Sequence, residues 1–412
     1  MHRTLYRAAT TLSRHAPLPP TARASMIGRA AAVGRWERWA ACIEPSPTVW
    51  FHGVSVGECL ALDPVMTRLR APQREIRTVL TYVSPSAAAW HGWPVDRADY
   101  LPLDRPDDVR RTLDAIAPAL IAVSRSDVWP ELMLQAASRG IPLALVGATV
   151  RAGSARLRWP ARALYRDALT GVRFAGAVTP EDADRLARLG VPSETVTVTG
   201  DPAHDRVLER VPDLGVIAEL VAWRTGRRIA VVGSLEPDDL EPVRRALQIM
   251  LRADPQFAAL LVPHDPECLA ASAFAEVDAA TWRPGDPAPA ARVVWVAARG
   301  LLADLYALAD VAYVGGAMRR PKPHSLLEPA AFAVPAAVGG AAEREVGTRR
   351  MIEAGGVVAV RDSAQLVETW GDWLANASRR ACAGLAARAT LAGGAANVSA
   401  RRLASLLAMP SA

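Results

Sequence analysis

A chain of 412 residues, 51% hydrophobic and 22% charged, is too long for one ordinary core and too apolar to be disordered. No uninterrupted apolar run reaches about 18 residues, so no helix spanning a bilayer is expected. The formal charge of +6 favours anionic partners, but the basic residues are dispersed and no nucleic-acid motif occurs, so nucleic acid is not an expected partner.

The segment "MHRTLYRAATTLSRH" has helical character, with Arg3, Arg7 and Arg14 on one face and Leu5, Ala8 and Leu12 opposite. Residues 1–30 therefore read as an amphipathic segment, lying on a membrane surface or packed on its own domain with equal weight. No basic-then-apolar leader with a cleavage site stands out, so a cytoplasmic protein is expected. Cys42, Cys59, Cys268 and Cys382 form no CxxC pair and read as free thiols in a reducing compartment.

After Pro45, short apolar runs alternate with helical patterns: "TVWFH", "IRTVLT", "ALIAVS", "PLALVG", "VRFAGAV" and "TVTVTG". A turn-rich stretch follows from Gly200 to Gly215. A second series then begins with "RIAVVGS", "AALLVP", "RVVWVA", "DVAYVGG", "PAAVGG" and "GGVVAV". This rhythm predicts an α/β protein of two doubly wound parallel sheets facing a cleft. The expected divisions are a first domain over 31–205, a linker over 206–226 and a second domain over 227–390. A last helix over 391–412 is free to pack back on the first domain. Ligands of such sheets bind beyond the carboxyl ends of the strands, so the chemistry is sought there.

"VWFHGVSVGE" ends a strand and places Glu58 on the first turn of a helix. Ser55-Val56-Gly57-Glu58 is also a capping box, so Glu58 reads equally as a helix cap and as a functional carboxylate. Gly57, in a helical turn where glycine costs up to ~1 kcal/mol, argues for close approach of a ligand. In the second half, Gly315-Gly316 end a strand. The loop after them carries Arg319, Arg320, His324 and Lys322, the one lysine of the chain. A helix start near Ser325 with Glu328 three residues on makes an anion site with that loop; the alternative is a second capping box. Gly233-Ser234 is a weaker phosphate contact point, and His264 ends another strand. Asp182-Ala183-Asp184 matches a metal-binding D-x-D only by pattern, inside a helix.

These stretches, together with "YLPLDRPDDVRR", "VTGD…DRV", "VVGSLEPDD", "VPHDPE" and "HSLLEPAAFAVPAAVGG", resemble the bacterial 3-deoxy-D-manno-octulosonic acid (Kdo) transferases in order and spacing over nearly the whole chain. "SVGE" and H-x-x-LEPA are the specific parts. The resemblance implies the GT-B fold of two Rossmann-like domains and a metal-independent, cofactor-free, inverting glycosyltransferase of lipopolysaccharide biosynthesis. Its partners would be CMP-Kdo, a lipid A precursor and, peripherally, the cytoplasmic face of the inner membrane. It also implies Glu58 as the general base, with Ser55, Gly57, Arg125 and Asp127 around the acceptor and glycines 53 and 57 leaving room for the sugar. Gly233, Ser234, His264, Gly315, Gly316, Lys322, His324, Ser325 and Glu328 would hold the nucleotide, Glu328 on the ribose.

The chain departs from the family pattern at three places. Arg125 stands where a carboxylate is usual, Ala203 where many members have lysine, and Ser325 where asparagine is usual. Arg125 is expected beside Glu58, facing the cleft, lowering the pKa of Glu58 and attracting an anionic acceptor. Other readings are a GT-B transferase with another donor or acceptor, a catalytically impaired binding subunit, and a sugar-nucleotide epimerase.

Overall fold

The computed structural model describes residues 20–71, 75–266, 268–321 and 323–408, together with Thr4, Tyr6, Arg7 and Thr10. The chain forms two units, Met1–Arg206 with Ala392–Ala412, and Val207–Leu391.

The first unit is built on seven strands: β1 (Thr48–His52), β2 (Arg77–Tyr82), β3 (Arg97–Tyr100), β4 (Pro118–Ser124), β5 (Leu143–Ala148), β6 (Val172–Ala177) and β7 (Val196–Val198). All pair in parallel, in the order β3-β2-β1-β4-β5-β6-β7. Burial on both faces explains the continuous apolar runs. Along β1, Trp50 joins a core with Val79, Ile121 and Leu145. Val49 and Phe51 alternate to the other face and meet Leu62, Val65 and Met66 of the helix Val56–Arg70.

That second face is completed by the helix Ala395–Leu407, whose Ala396, Ala400 and Leu403 are buried there. Asp205 fixes its start: the N–H groups of Gly394 and Ala396 donate to its two carboxylate oxygens at 2.6 and 3.1 Å. Two unsatisfied donors of a helix N-terminus thus gain an anionic acceptor.

The amphipathic segment is tied to the same unit. Tyr6 Oη donates to Asp104 at 2.6 Å, and Arg7 makes a two-pronged contact with Glu131, whose side chain is fully buried. Arg7 therefore points at its own domain, against the surface-helix reading at this turn. Arg3, Leu5, Ala8, Leu12 and Arg14 lie outside the described residues.

The second unit holds β8 (Arg228–Leu235), β9 (Phe257–Pro263), β10 (Ala280–Trp282), β11 (Val293–Val296), β12 (Val311–Val314), β13 (Ala336–Gly339) and β14 (Val357–Val360). These are again all parallel, in the order β10-β11-β9-β8-β12-β13-β14. The expected linker is not an open tether. The helix Pro202–Glu209 runs through its start, and Ile217, Leu220 and Trp223 are buried in the core of the second unit. Arg210 pairs with Asp304 at 2.7 Å, and the Trp223 indole N–H donates to Ala291 O at 2.9 Å. Three large apolar side chains in so turn-rich a sequence are better buried than exposed.

Candidate functional site

In each sheet the strand order reverses direction beside its first strand, and in the second sheet it also does so at β11, near the edge. In the first unit this is between β1 and β4; in the second it is between β8 and β12. Loops leave these strand pairs to opposite sides, which opens a crevice at their carboxyl ends. Glu58 follows β1 and Arg125–Asp127 follow β4. Gly233-Ser234 end β8 and Gly315-Gly316 follow β12. Both predicted sets therefore stand at switch points.

Glu58 performs the cap function. Ser55 is the N-cap, its hydroxyl accepting from the Glu58 N–H at 3.4 Å, while the Glu58 carboxylate accepts from the Val54 N–H at 2.6 Å. The Ser124 hydroxyl donates to the Glu58 carbonyl at 3.1 Å, joining the ends of β4 and β1. The carboxyl is half-buried, and its pKa is raised. Burial is the main cause and the charge of Asp127 the next; the Val54 and Ser55 N–H groups and Arg125 oppose it. Capping and a raised pKa coexist because two backbone donors do not fully replace the lost water.

The glycines divide differently from expectation. A Cβ on Gly53 would lie 2.9 Å from Cys59 N and 3.1 Å from Glu58 C, so glycine there lets the strand end touch the helix start. The room at Gly53 is filled by the protein itself. Gly57 is exposed, with nothing within 4 Å of an added Cβ.

Arg125 is not a free cation. Its φ is +60°, its N–H donates to Val146 O at 2.8 Å, and its guanidinium meets Asp201 at 2.7 Å. Both side chains are largely covered. The charge expected to face an acceptor is thus neutralised by a carboxylate 76 residues away in sequence, and Arg125 is the weakest of the influences on Glu58. The expected lowering of the Glu58 pKa is outweighed by burial and Asp127. Asp127 itself pairs with Arg156 at 3.4 Å and is partly exposed.

Beneath this edge lies His52, fully buried. The Trp129 indole N–H donates to His52 Nε2 at 2.9 Å, which leaves the proton on Nδ1, facing Thr81 O at 3.1 Å. Burial, helped by Arg29, pushes its pKa down to about 3, so the ring is neutral. Sequence reasoning passed over His52 and Trp129; their 77-residue separation gives no local signal.

In the second unit, close packing decides the glycines. A Cβ on Gly233 would fall 2.3 Å from Tyr306 Oη, and one on Gly315 2.3 Å from Ser234 O and 2.5 Å from Asp239 Oδ2. Ser234 has a φ of +54° and Gly316 one of +93°. Asp239, fully buried, draws these turns together. It accepts from the Glu236 N–H and the Gly316 N–H at 2.9 Å each, and from Tyr313 Oη at 2.8 Å. Burial raises its pKa, opposed by those three donors. The E-P-D-D turn was its available signal.

His264 and His324 stack with centroids 4.1 Å apart, and Glu236 lies 3.1 Å from His324 Nε2. The Ser325 hydroxyl accepts from the Leu327 N–H at 3.3 Å and donates to Glu328, which is half-buried. The helix after it spans only Leu327–Ala331, so its dipole is small and the expected anion site at its start is weakened. Arg319 and Arg320 are exposed. Lys322 lies outside the described residues. Asp182 is structural, accepting from the Val150 N–H at 2.9 Å and paired with Arg185.

Two doubly wound units with polar groups at both switch points define the GT-B class. The backbone is similar to UDP-GlcNAc 2-epimerase from Neisseria meningitidis, with a TM-score of 0.62 and 13% identity over 86% of this chain and 99% of that one. It is also similar to the Methanocaldococcus jannaschii UDP-GlcNAc 2-epimerase, with a TM-score of 0.57 and 12% identity over 82% and 97%. At such identities the likeness is one of fold. The family model of the 3-deoxy-D-manno-octulosonic-acid transferases (kdotransferases) matches residues 30–206. The transferase of that name from Bordetella pertussis is 31% identical over 391 residues, 87% of this chain and 89% of its own. The one from Haemophilus influenzae is 26% identical over 79% and 78%. The chain belongs to the 3-deoxy-D-manno-octulosonic acid transferase family and is a glycosyltransferase.

Proposed function

We propose that this protein moves Kdo from CMP-Kdo to a lipid A precursor in lipopolysaccharide synthesis, with inversion and with Glu58 as general base. The observation that carries this reading is the half-buried Glu58 carboxyl at the first switch point, its pKa raised by burial and by Asp127. A base of raised pKa is the better proton acceptor near neutral pH. Glu58 takes the proton of the acceptor hydroxyl while that oxygen bonds the anomeric carbon. The bond from that carbon to the phosphate oxygen breaks on the opposite face, and CMP leaves with the electron pair. No metal or other cofactor enters this scheme.

The nucleotide is assigned to the turns Gly233-Ser234 and Gly315-Gly316 with His264, His324, Ser325 and Glu328, and Lys322 supplies a further cation. Ser55, Gly57 and Asp127 border the acceptor. Arg125 acts with Asp201 to shape the turn after β4.

Peripheral attachment to the cytoplasmic face of the inner membrane is assigned to the loop after β5. Trp159 is 76% exposed there, and Arg151, Arg158 and Arg162 are exposed beside it. An exposed indole among arginines suits an anionic lipid surface. Among the described residues no helix is long and apolar enough to cross a membrane. Incubation with CMP-Kdo and a Kdo-free lipid A precursor, followed by mass spectrometry, tests the reading. A product heavier by one or more Kdo residues is expected; an unmodified precursor, with transfer from another sugar nucleotide, would replace it.

A further inference from the structure

Tyr306 carries a polar group that the fold buries and does not satisfy. It opens the single turn Tyr306–Leu308 that leads into β12, it is 1% exposed, and its Oη has no hydrogen-bond partner among the described residues. An unpaired buried hydroxyl carries a cost that phenylalanine would avoid, so its presence asks for a use. The ring is firmly placed. Two residues earlier, Asp304 accepts from the Asp213 N–H at 3.0 Å and pairs with Arg210 at 2.7 Å, which fixes this turn. At the tip of the ring, Gly233 makes room, since a Cβ there would collide with Oη. The hydroxyl therefore points at the turn that ends β8, at the switch point between β8 and β12. Leu326 and Ala330, on either side of Glu328 in sequence, lie in the same core as Tyr306. Burial first, and the charge of Glu328 next, push the hydroxyl pKa up, so the proton stays on and Oη is a donor facing an anionic acceptor.

We propose that Tyr306 is a positioning residue for nucleotide binding: its hydroxyl donates to Glu328 when that carboxylate turns onto the ribose of the nucleotide. The proposal rests on the assignment of the nucleotide to the second unit. Without nucleotide, Glu328 is held by the hydroxyl of Ser325, an exposed side chain in competition with water. That contact is weak enough to exchange for a better one. A carboxylate offers about four lone-pair sites, enough for Tyr306 and two ribose hydroxyls together. A hydrogen bond to an ionised acceptor is stronger than a neutral one, and more so in a site closed to water. The Tyr306 ring is already fixed, so little ordering is lost when its hydroxyl is used. The arrangement makes the vicinal hydroxyls of a ribose the recognised feature, and a ribonucleotide the preferred ligand over its 2′-deoxy counterpart.

The full chain is titrated by calorimetry with CMP and with 2′-deoxy-CMP, and its melting temperature is measured. The parent should prefer CMP by roughly tenfold or more, the worth of a hydrogen bond to a charged group. Tyr306→Phe should lose most of that preference while its melting temperature stays equal or rises, because a buried unpaired hydroxyl is gone. Glu328→Ala should lose the preference as well, and adding Tyr306→Phe to it should change nothing further, since the two residues act as one unit. A parent without ribose preference would overturn the proposal, and so would a full preference retained in Tyr306→Phe. A hydroxyl that only supports the fold, or that holds an enclosed water, predicts a lower melting temperature and equal weakening of both nucleotides; that result also overturns it. The nucleotide assignment fails separately: a parent that binds neither ligand, or Glu328→Ala binding both as the parent does, removes that assignment and the role of Tyr306 with it.

Discussion

Glu58 serves two ends with one carboxylate: one oxygen closes the helix start on Val54, and burial beside Asp127 makes the group a stronger base. Its sign with pH follows. A carboxyl whose folded pKa is raised contributes stability fully below its unfolded pKa, and that contribution is lost as pH rises through the folded pKa. Charged Glu58 is therefore a burden on the fold, and in the proposed mechanism it would accept a proton only above the ordinary glutamate range. Asp127→Asn removes the neighbouring negative charge, so the acid limb of the kcat/KM profile should move to lower pH; an unmoved limb would separate Asp127 from Glu58. The partner of Arg125 decides a second prediction. Arg125→Ala leaves Asp201 largely covered and unpaired and should cost up to ~3 kcal/mol. Arg125→Ala/Asp201→Ala should recover part of that in chemical denaturation, since no lone charge remains. SVGE made Glu58 legible in the sequence. The Arg125–Asp201 pair was not, because nothing local to either residue names a partner in a distant loop.

At the level of elements, both switch points follow from strand order, in sheets built from runs buried on two faces, such as "TVWFH" and "RIAVVGS". Those runs were readable because parallel central strands are apolar throughout. The turns that end them were readable only as glycines. What the glycines accommodate is Tyr306, Ser234 and Asp239, and such close approaches arise from packing between segments far apart in sequence. The short helix Leu327–Ala331 shows the opposite error. S-x-x-E suggested a full helix start, but five residues before a turn carry little dipole. Asp239→Asn tests the turn architecture. It keeps one acceptor oxygen but presents an amide to groups that donate, stranding buried donors at about 1–3 kcal/mol. The melting temperature should fall, with CMP affinity falling alongside; an unchanged melt would remove Asp239 from this role.

At the level of the whole chain, the two units are not consecutive. The last helix rejoins the first through Asp205, so the "DRV" stretch of the family pattern does structural work here. The rhythm of the sequence exposed two domains, with a last helix over 391–412 free to return to the first, but not the Asp205 contact that fixes its start, since an amphipathic helix carries no label for its partner. The proposed membrane attachment is also tested on the whole molecule. Trp159→Ala should lower the fraction of protein sedimenting with anionic phosphatidylglycerol vesicles several-fold, and added salt should weaken binding of the parent chain. Equal sedimentation of variant and parent would move the attachment elsewhere.

The most direct measurement is turnover of Glu58→Gln with CMP-Kdo and a Kdo-free lipid A precursor, beside its CMP affinity and melting temperature. Glutamine keeps the size and can still accept from the Val54 N–H, but it cannot take a proton. Turnover should drop by ~10²-fold or more, with CMP affinity retained and the melting temperature at neutral pH equal or higher. Near-parental turnover, or a marked loss of melting temperature, would reduce Glu58 to a helix cap.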